Sequence, residues 1–127
     1  MKEILIVVRS ESYYKLKKKL LLKPNVRVLA DPIKALNQVD PAKQKYIVVD
    51  SGLTKVSCFD LIDIIRSNPL NHHIKIIIAT RSTDRAFLEK AYCLGTDYFI
   101  KYPINVEEID NLSKFENNEF SLEFLYN

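Results

Sequence analysis

The stretch KQKYIVVDSGL (residues 43–53) runs through an unbroken apolar segment, Tyr46 to Val49, into an aspartate and then a Ser-Gly pair. A short run that is apolar at every position reads as a strand buried on both faces, as in a parallel sheet. Asp50 ends that strand. A carboxylate there can serve as a covalent acceptor, as an ion-pair partner, or as the first residue of a turn, since Asp-Ser-Gly is good turn chemistry.

Outward from this segment, strand and helix patterns alternate along the chain. Lys2–Val8 is a continuous apolar strand, and Ser12–Leu22 has helical spacing. Val26–Ala30 is a short strand, followed by a helix over Pro32–Val39 in which Asp31 caps and Pro32 occupies the first turn. After the strand Tyr46–Val49, residues 59, 61, 62, 64 and 65 carry helical apolar spacing in Phe59–Arg66, which stops before Asn68-Pro69. Ile74–Ala79 is a fourth strand, and Thr83–Leu94 is a helix ended by Gly95. Tyr98–Ile100 is a fifth strand, and Val106–Phe115 is a weaker helix.

Strands apolar on both faces, each followed by a helix, describe an α/β domain with a parallel sheet covered on both sides. Right-handed crossovers make a doubly wound, flavodoxin-like five-stranded sheet of order 2-1-3-4-5 the compact choice. Chemistry in such folds sits beyond the carboxyl ends of the strands. That rule nominates Val8–Arg9, Asp50, Thr80 and Lys101–Pro103 as the rim of a site.

Composition narrows the function classes. A chain of 127 residues with 47% apolar content fits one globular domain. No apolar run approaches a membrane span, and the N-terminus lacks a signal-peptide pattern, so no membrane partner is expected. Cys58 and Cys93 form neither a disulfide framework nor a zinc set, and a cytoplasmic setting is the default expectation. His72-His73 has no third ligand nearby in sequence, so no metal site is expected there. With only two glycines, a Gly-rich phosphate loop is absent, which counts against a small flavodoxin-like enzyme or nucleotide binder.

The net charge of +3 is unevenly spread: residues 1–50 hold eleven Lys/Arg against five Asp/Glu, and residues 96–127 hold two against seven. The basic run KLKKKLLLK (15–23) flanks an apolar stripe of Tyr13, Leu16 and Leu20 on one helix. Without a groove-reading helix or stacking aromatics, direct nucleic-acid binding is not expected.

The rim residues resemble the receiver domain of two-component response regulators, over roughly residues 3–110. YIVVD is similar to the family's third strand, which ends in the phospho-accepting aspartate, and the resemblance gives Asp50 that position. DSGLTKVSCFDLIDIIRSNP follows the family pattern without a gap, with Leu53, Phe59, Leu61, Ile65, Arg66 and Pro69 where similar residues are expected. KIIIATRS places Thr80 at the conserved hydroxyl position. GTDYFIKYPINVEEI matches at Gly95, Pro103 and Glu107–Glu108, with Phe99 at the switch aromatic, although its packing also fits core.

The chain also departs from that pattern. The family carries an acidic pair after strand one, where this sequence has Val8 and Arg9, or Arg9 and Ser10 in a slipped register. Its lysine before the fifth-strand proline is replaced by Tyr102, and Lys101 is one residue off, which on a strand reverses the face. Thr54 and Cys58 replace a usual proline and glycine. Tyr102 can pack its ring or send its hydroxyl to Asp50.

Phosphoryl transfer to an aspartate needs the charge on the transferred oxygens neutralised, and the family uses Mg²⁺ held by carboxylates. With Asp50 alone and Arg9 beside it, magnesium is expected to be absent or weak. The Arg9 guanidinium is expected to pair with Asp50 bidentately and stand in for the ion. The resulting expectation is a degenerate receiver, residues 1–115, acting in signal transduction by protein–protein contact with a kinase, output domain or adaptor target, and not as an enzyme.

The resemblance puts the partner or homodimer face on helix four, strand five and helix five, including Arg85, Lys90, Tyr98 and Lys101. A working phosphoreceiver fed by a histidine kinase and a small flavodoxin-like ligand-binding protein are the alternatives. Residues 116–127, where Phe120, Leu122, Phe124 and Tyr126 alternate almost as a strand does, are expected to form a tail that packs to complete the last helix, adds an edge strand, docks on its own domain or binds a partner by strand addition.

Overall fold

A computed structural model describes residues 2–112. The tail expected over 116–127, the boundary at 115 and the end of the last helix lie outside the described residues. Five strands and five helices alternate: β1 (Glu3–Val7), α1 (Ser10–Lys19), β2 (Val26–Leu29), α2 (Pro32–Gln38), β3 (Gln44–Asp50), α3 (Cys58–Ser67), β4 (Lys75–Thr80), α4 (Arg85–Leu94), β5 (Tyr98–Lys101) and α5 (Val106–Asp110). A short 3-10 turn, Pro69–Asn71, follows α3. The sheet is parallel throughout, in the order β2-β1-β3-β4-β5. The expected α/β class, strand number and order are all as read from the sequence.

Side-chain alternation along the strands feeds two apolar layers. Leu5, Val7, Ile47, Val49, Ile76, Ile78 and Phe99 face α2, α3 and α4, where Ala35, Leu61, Ile62, Ile65, Leu88 and Ala91 meet them. Ile4, Ile6, Tyr46, Val48, Ile77, Ala79, Tyr98 and Ile100 face α1 and α5, against Leu16, Leu20, Ile109 and Leu112. Both faces of β1, β3 and β4 are thereby buried, which is why these strands read as unbroken apolar runs. Among the described residues, no helix is long and apolar enough to cross a membrane.

Local signals set most boundaries. Asp31 caps α2 by accepting from Ile33 N–H at 2.9 Å, with Pro32 in the first turn. Ser57 caps α3 through Asp60 N–H at 3.1 Å. The helix expected from Thr83 begins instead at Arg85, because Asp84 accepts from Ala86 N–H and so takes the cap. Most other ends shift by a single residue, and the larger shifts are in α1 and β3. α1 begins at Ser10 rather than Ser12 and ends before Leu20, leaving Leu21 and Leu22 exposed. β3 starts at Gln44, whose buried amide donates to Gln38 O at 3.0 Å and accepts from Asp40 N–H at 2.6 Å. A polar residue can extend an apolar strand when every hydrogen-bonding atom is met in this way.

The C-terminus of α4 is fixed by Gly95 in the left-handed region, φ 118°. Arg66, at the end of α3, spans the same corner. It donates to Gly95 O at 3.0 Å, to Asn71 O at 2.9 Å and to Asp97 Oδ2 at 2.7 Å. A Cβ on Gly95 would press on Arg66 Cγ at 2.7 Å. Gly95→Ala should therefore cost at least the ~1–2 kcal/mol of a left-handed L-residue, read as a lower urea midpoint at unchanged m-value. A loss under half of that lower bound would show that this cap is not required.

Candidate functional site: the mouth of the sheet

β1 and β3 lie side by side, with Val7 paired to Val49, so the residues leaving both strands meet at one rim. Arg9 is the N-cap of α1, with extended backbone and no side-chain cap bond of its own. Its amide and its guanidinium are both free to turn toward β3. Asp50 ends β3 with its side chain wholly buried.

Four donors converge on that carboxylate. Oδ2 accepts from the Arg9 backbone N–H at 3.0 Å and from Arg9 Nε at 2.9 Å; Oδ1 accepts from Arg9 Nη2 at 2.7 Å and from the Gly52 N–H at 2.8 Å. The bidentate fork is the geometry for which a guanidinium is suited and an ammonium is not. Burial pushes the Asp50 carboxyl pKa up, but the Arg9 guanidinium and the Arg9 and Gly52 amides outweigh it, and the carboxyl ends below its ordinary value. The same hydrogen bond from Arg9 to Asp50 raises the guanidinium's own pKa.

The Asp-Ser-Gly sequence has a second use here. A Cβ built on Gly52 would overlap the Arg9 guanidinium, with Nε at 2.9 Å. Gly52 is thus a close-approach glycine: it lets an arginine lie across the turn while donating its amide to the acid beneath. Residue spacing alone gave no sign of this contact, because the two residues are 43 positions apart.

The other rim residues are placed as follows. Thr80 is buried, and its hydroxyl accepts the Ser82 N–H at 3.0 Å, closing the turn after β4. Tyr102 follows β5 through a cis peptide to Pro103 and packs toward the α1/α5 layer. Its ring lies under the Arg9 guanidinium, with Cζ 3.9 Å from the centroid, and near Arg81, with Cζ at 5.3 Å. Of the two expected roles the ring packing holds, and the hydroxyl meets the Ser12 hydroxyl in place of Asp50, whose oxygens already accept four donors. Phe99 points into the α2–α4 layer and is buried.

The expected partner-face residues do not form one surface. Arg85 pairs with Glu89 along α4, donating from Nε at 3.0 Å, and Lys101 is exposed. Tyr98 is a correction: strand alternation turns it into the α1/α5 core, where it is 9% exposed. Lys90 stays exposed on α4, with its ammonium over the Phe59 ring of α3 at 4.6 Å.

A receiver-type magnesium site was tested against these residues, and they do not fit it. Val8 is buried and apolar, Arg9 is cationic, and both Asp50 oxygens are engaged by donors. Among the described residues, no group of three or more His, Cys, Asp or Glu side chains could hold an ion. His72 and His73 meet edge to face and bond to the carbonyls of Pro69 and Pro41.

No family model matches the sequence, and no curated protein matches it. Solved structures do match. The chemotaxis response regulator CheY4 of Vibrio cholerae is 20% identical, with TM-score 0.75, covering 91% of this chain and 98% of that one. A two-component response regulator from Clostridium difficile is 19% identical, with TM-score 0.74, covering 93% and 98%. Response regulator DrrB of Thermotoga maritima is 20% identical, with TM-score 0.73, covering 95% of this chain and 55% of its own. At these identities the likeness is one of fold: the chain has the fold of response-regulator receiver domains.

Removing the guanidinium leaves a buried, uncompensated carboxylate. Arg9→Ala should lose about 2–3 kcal/mol, below the ~3–5 of fully buried pairs because the Arg9 side chain is 32% exposed. Gly52→Ala displaces the same guanidinium, so the two substitutions together should cost little more than the larger alone. Full additivity in a double-mutant cycle would show that Gly52 does not act through Arg9.

Acid gives an independent test. A carboxyl with a depressed folded pKa stabilises fully above its unfolded value of about 3.9 and loses that contribution as pH falls through the folded value. Asp50→Asn should therefore flatten the acid limb below about pH 4 in urea-midpoint measurements. A limb as steep as the parent's would place the titrating group elsewhere.

Proposed function

We propose that this chain is a receiver-type signalling domain that works by protein–protein contact, without magnesium-dependent phosphorylation of Asp50 and without catalysis of its own. The observation that carries the reading is the saturation of Asp50: its carboxylate accepts four hydrogen bonds, three of them from Arg9. An aspartate attacks a phosphoryl group with an oxygen lone pair, and it needs a cation bound to that group to neutralise the developing charge. Here the lone pairs are committed to Arg9 and Gly52, and a fixed monovalent cation stands where a divalent ion is needed. The arrangement supports a rim held in one state, whose output depends on which protein binds rather than on a chemical mark.

The receiver fold supports the signalling class, since the chain shares it with response regulators over more than nine-tenths of its length. The partner face is proposed on α4, β5 and the start of α5, through Arg85, Lys101 and the exposed side of α4. A kinase, an output domain, an adaptor target or a second copy fits there.

Beryllofluoride with Mg²⁺ mimics an acyl phosphate, so it separates this reading from that of a working phosphoreceiver. Titrated into the protein with backbone amides followed by NMR, it should leave the Gly52 amide unmoved. A saturable shift at Gly52 with magnesium present, abolished by Asp50→Asn, would overturn the proposal in favour of phosphorylation.

A further inference from the structure

Beside the mouth, between α1 and the segment linking β5 to α5, lies a groove of about 640 Å³, inside the size range of small-molecule sites. Its floor is apolar, formed by Val8, Leu16 and Ile104, all buried. Its rim is mostly cationic, with four basic side chains against the two acids Glu11 and Glu108. Lys15 and Lys19, one turn apart on α1, face Arg81 and Lys101 across it. Among the described residues, none of these four joins an ion pair. Arg81 donates only a long hydrogen bond, Nε to Tyr102 O at 3.4 Å, which leaves both Nη groups available.

One more group lines the groove without a partner. Glu108 Oε2 is buried and accepts no hydrogen bond among the described residues. A buried acceptor left unmet costs free energy that a ligand donor can recover. Cations gathered from three elements repel one another, and a multiply charged anion relieves that repulsion as a single carboxylate cannot. An apolar floor, clustered cations and one unmet acceptor together define a ligand with a phosphorylated end, an apolar body and an N–H donor.

We propose that this groove binds a phosphorylated small molecule of nucleotide size, its phosphates held by Lys15, Lys19 and Arg81 and an N–H of its body donated to Glu108. The inference goes beyond the signalling reading and stands whatever Asp50 does. It also supplies an input for a rim that lacks a chemical switch. Tyr102 and Arg81 line the groove, and the Tyr102 ring is also the surface on which Arg9 rests. A ligand that draws Arg81 to its phosphate changes the contacts of that ring and, through it, the Arg9–Asp50 pair.

The test is calorimetric titration of the full chain, at low salt, with ADP, GDP, inorganic phosphate and an acidic glutamate-rich peptide as separate probes. One nucleotide should bind at a single site, at least tenfold tighter than inorganic phosphate and than the peptide. Lys15→Gln/Lys19→Gln should weaken it at least tenfold, and Arg81→Gln should do the same as a second, independently folded variant. Glu108→Leu should weaken the nucleotide but leave phosphate unchanged. In NMR, nucleotide should shift the Gly52 amide in the parent, whereas Arg9→Ala should bind with that amide silent.

Failure of both nucleotides to bind, equal affinity for phosphate (an adventitious anion only), tighter binding of the peptide, or insensitivity to the lysine substitutions would each overturn the proposal. None of these results bears on the beryllofluoride test, so the two readings fail separately.

Discussion

A carboxylate with no exposed surface and a guanidinium lying across a glycine decide what the mouth of this sheet can do. The pair is costly to desolvate and costly to break, so its net contribution to stability is smaller than its hydrogen-bond count suggests. Its larger effect is on specificity of structure. Three hydrogen bonds from Arg9 tie the start of α1 to the end of β3, and the Gly52 amide ties the following turn to the same acid. Two loops that are free in sequence become one rigid rim.

The rim extends through the aromatic ring of Tyr102. Arg9 rests on that ring, Arg81 approaches it, and its hydroxyl meets Ser12 on α1. A residue that a sequence comparison marks only as a missing lysine thus becomes the part connecting β1, β4 and β5. A lysine there would bring a second cation close to Arg9, and a tyrosine accepts that cation on its face instead. Arg9 and Tyr102 are therefore physically consistent with one another, since the ring supports the cation.

Charge is distributed in the same spirit. The basic half of the chain is not spread evenly over the surface. Part of it is engaged in internal pairing, as in Arg9 with Asp50 and Lys23 with Asp110 at 2.6 Å, and part, without an ion pair among the described residues, lies around the groove between α1 and α5. Lysines on α1 were read as a solvated fringe to an apolar stripe, and Leu16 and Leu20 do form that stripe. The fringe gains meaning only when Arg81 and Lys101 arrive from other strands.

The linear sequence was enough for the sheet. Unbroken apolar runs at β1, β3 and β4, a cap at Asp31, a stop at Gly95 and an aspartate at the end of YIVVD are local signals, and local signals fix strand, helix and rim. It also shows that residues 8–10, where β1 gives way to α1, carry no carboxylate, since side-chain identity is visible without coordinates. The Arg9–Asp50 pair was legible from the rim positions, whereas tertiary structure alone decided that Gly52 joins it, which ring supports the arginine and which lysines face one another. Those depend on strand register and on the direction in which side chains leave neighbouring strands. Gly52 meeting Arg9 and Lys90 lying over Phe59 are contacts between residues distant in the chain, and no local periodicity encodes them.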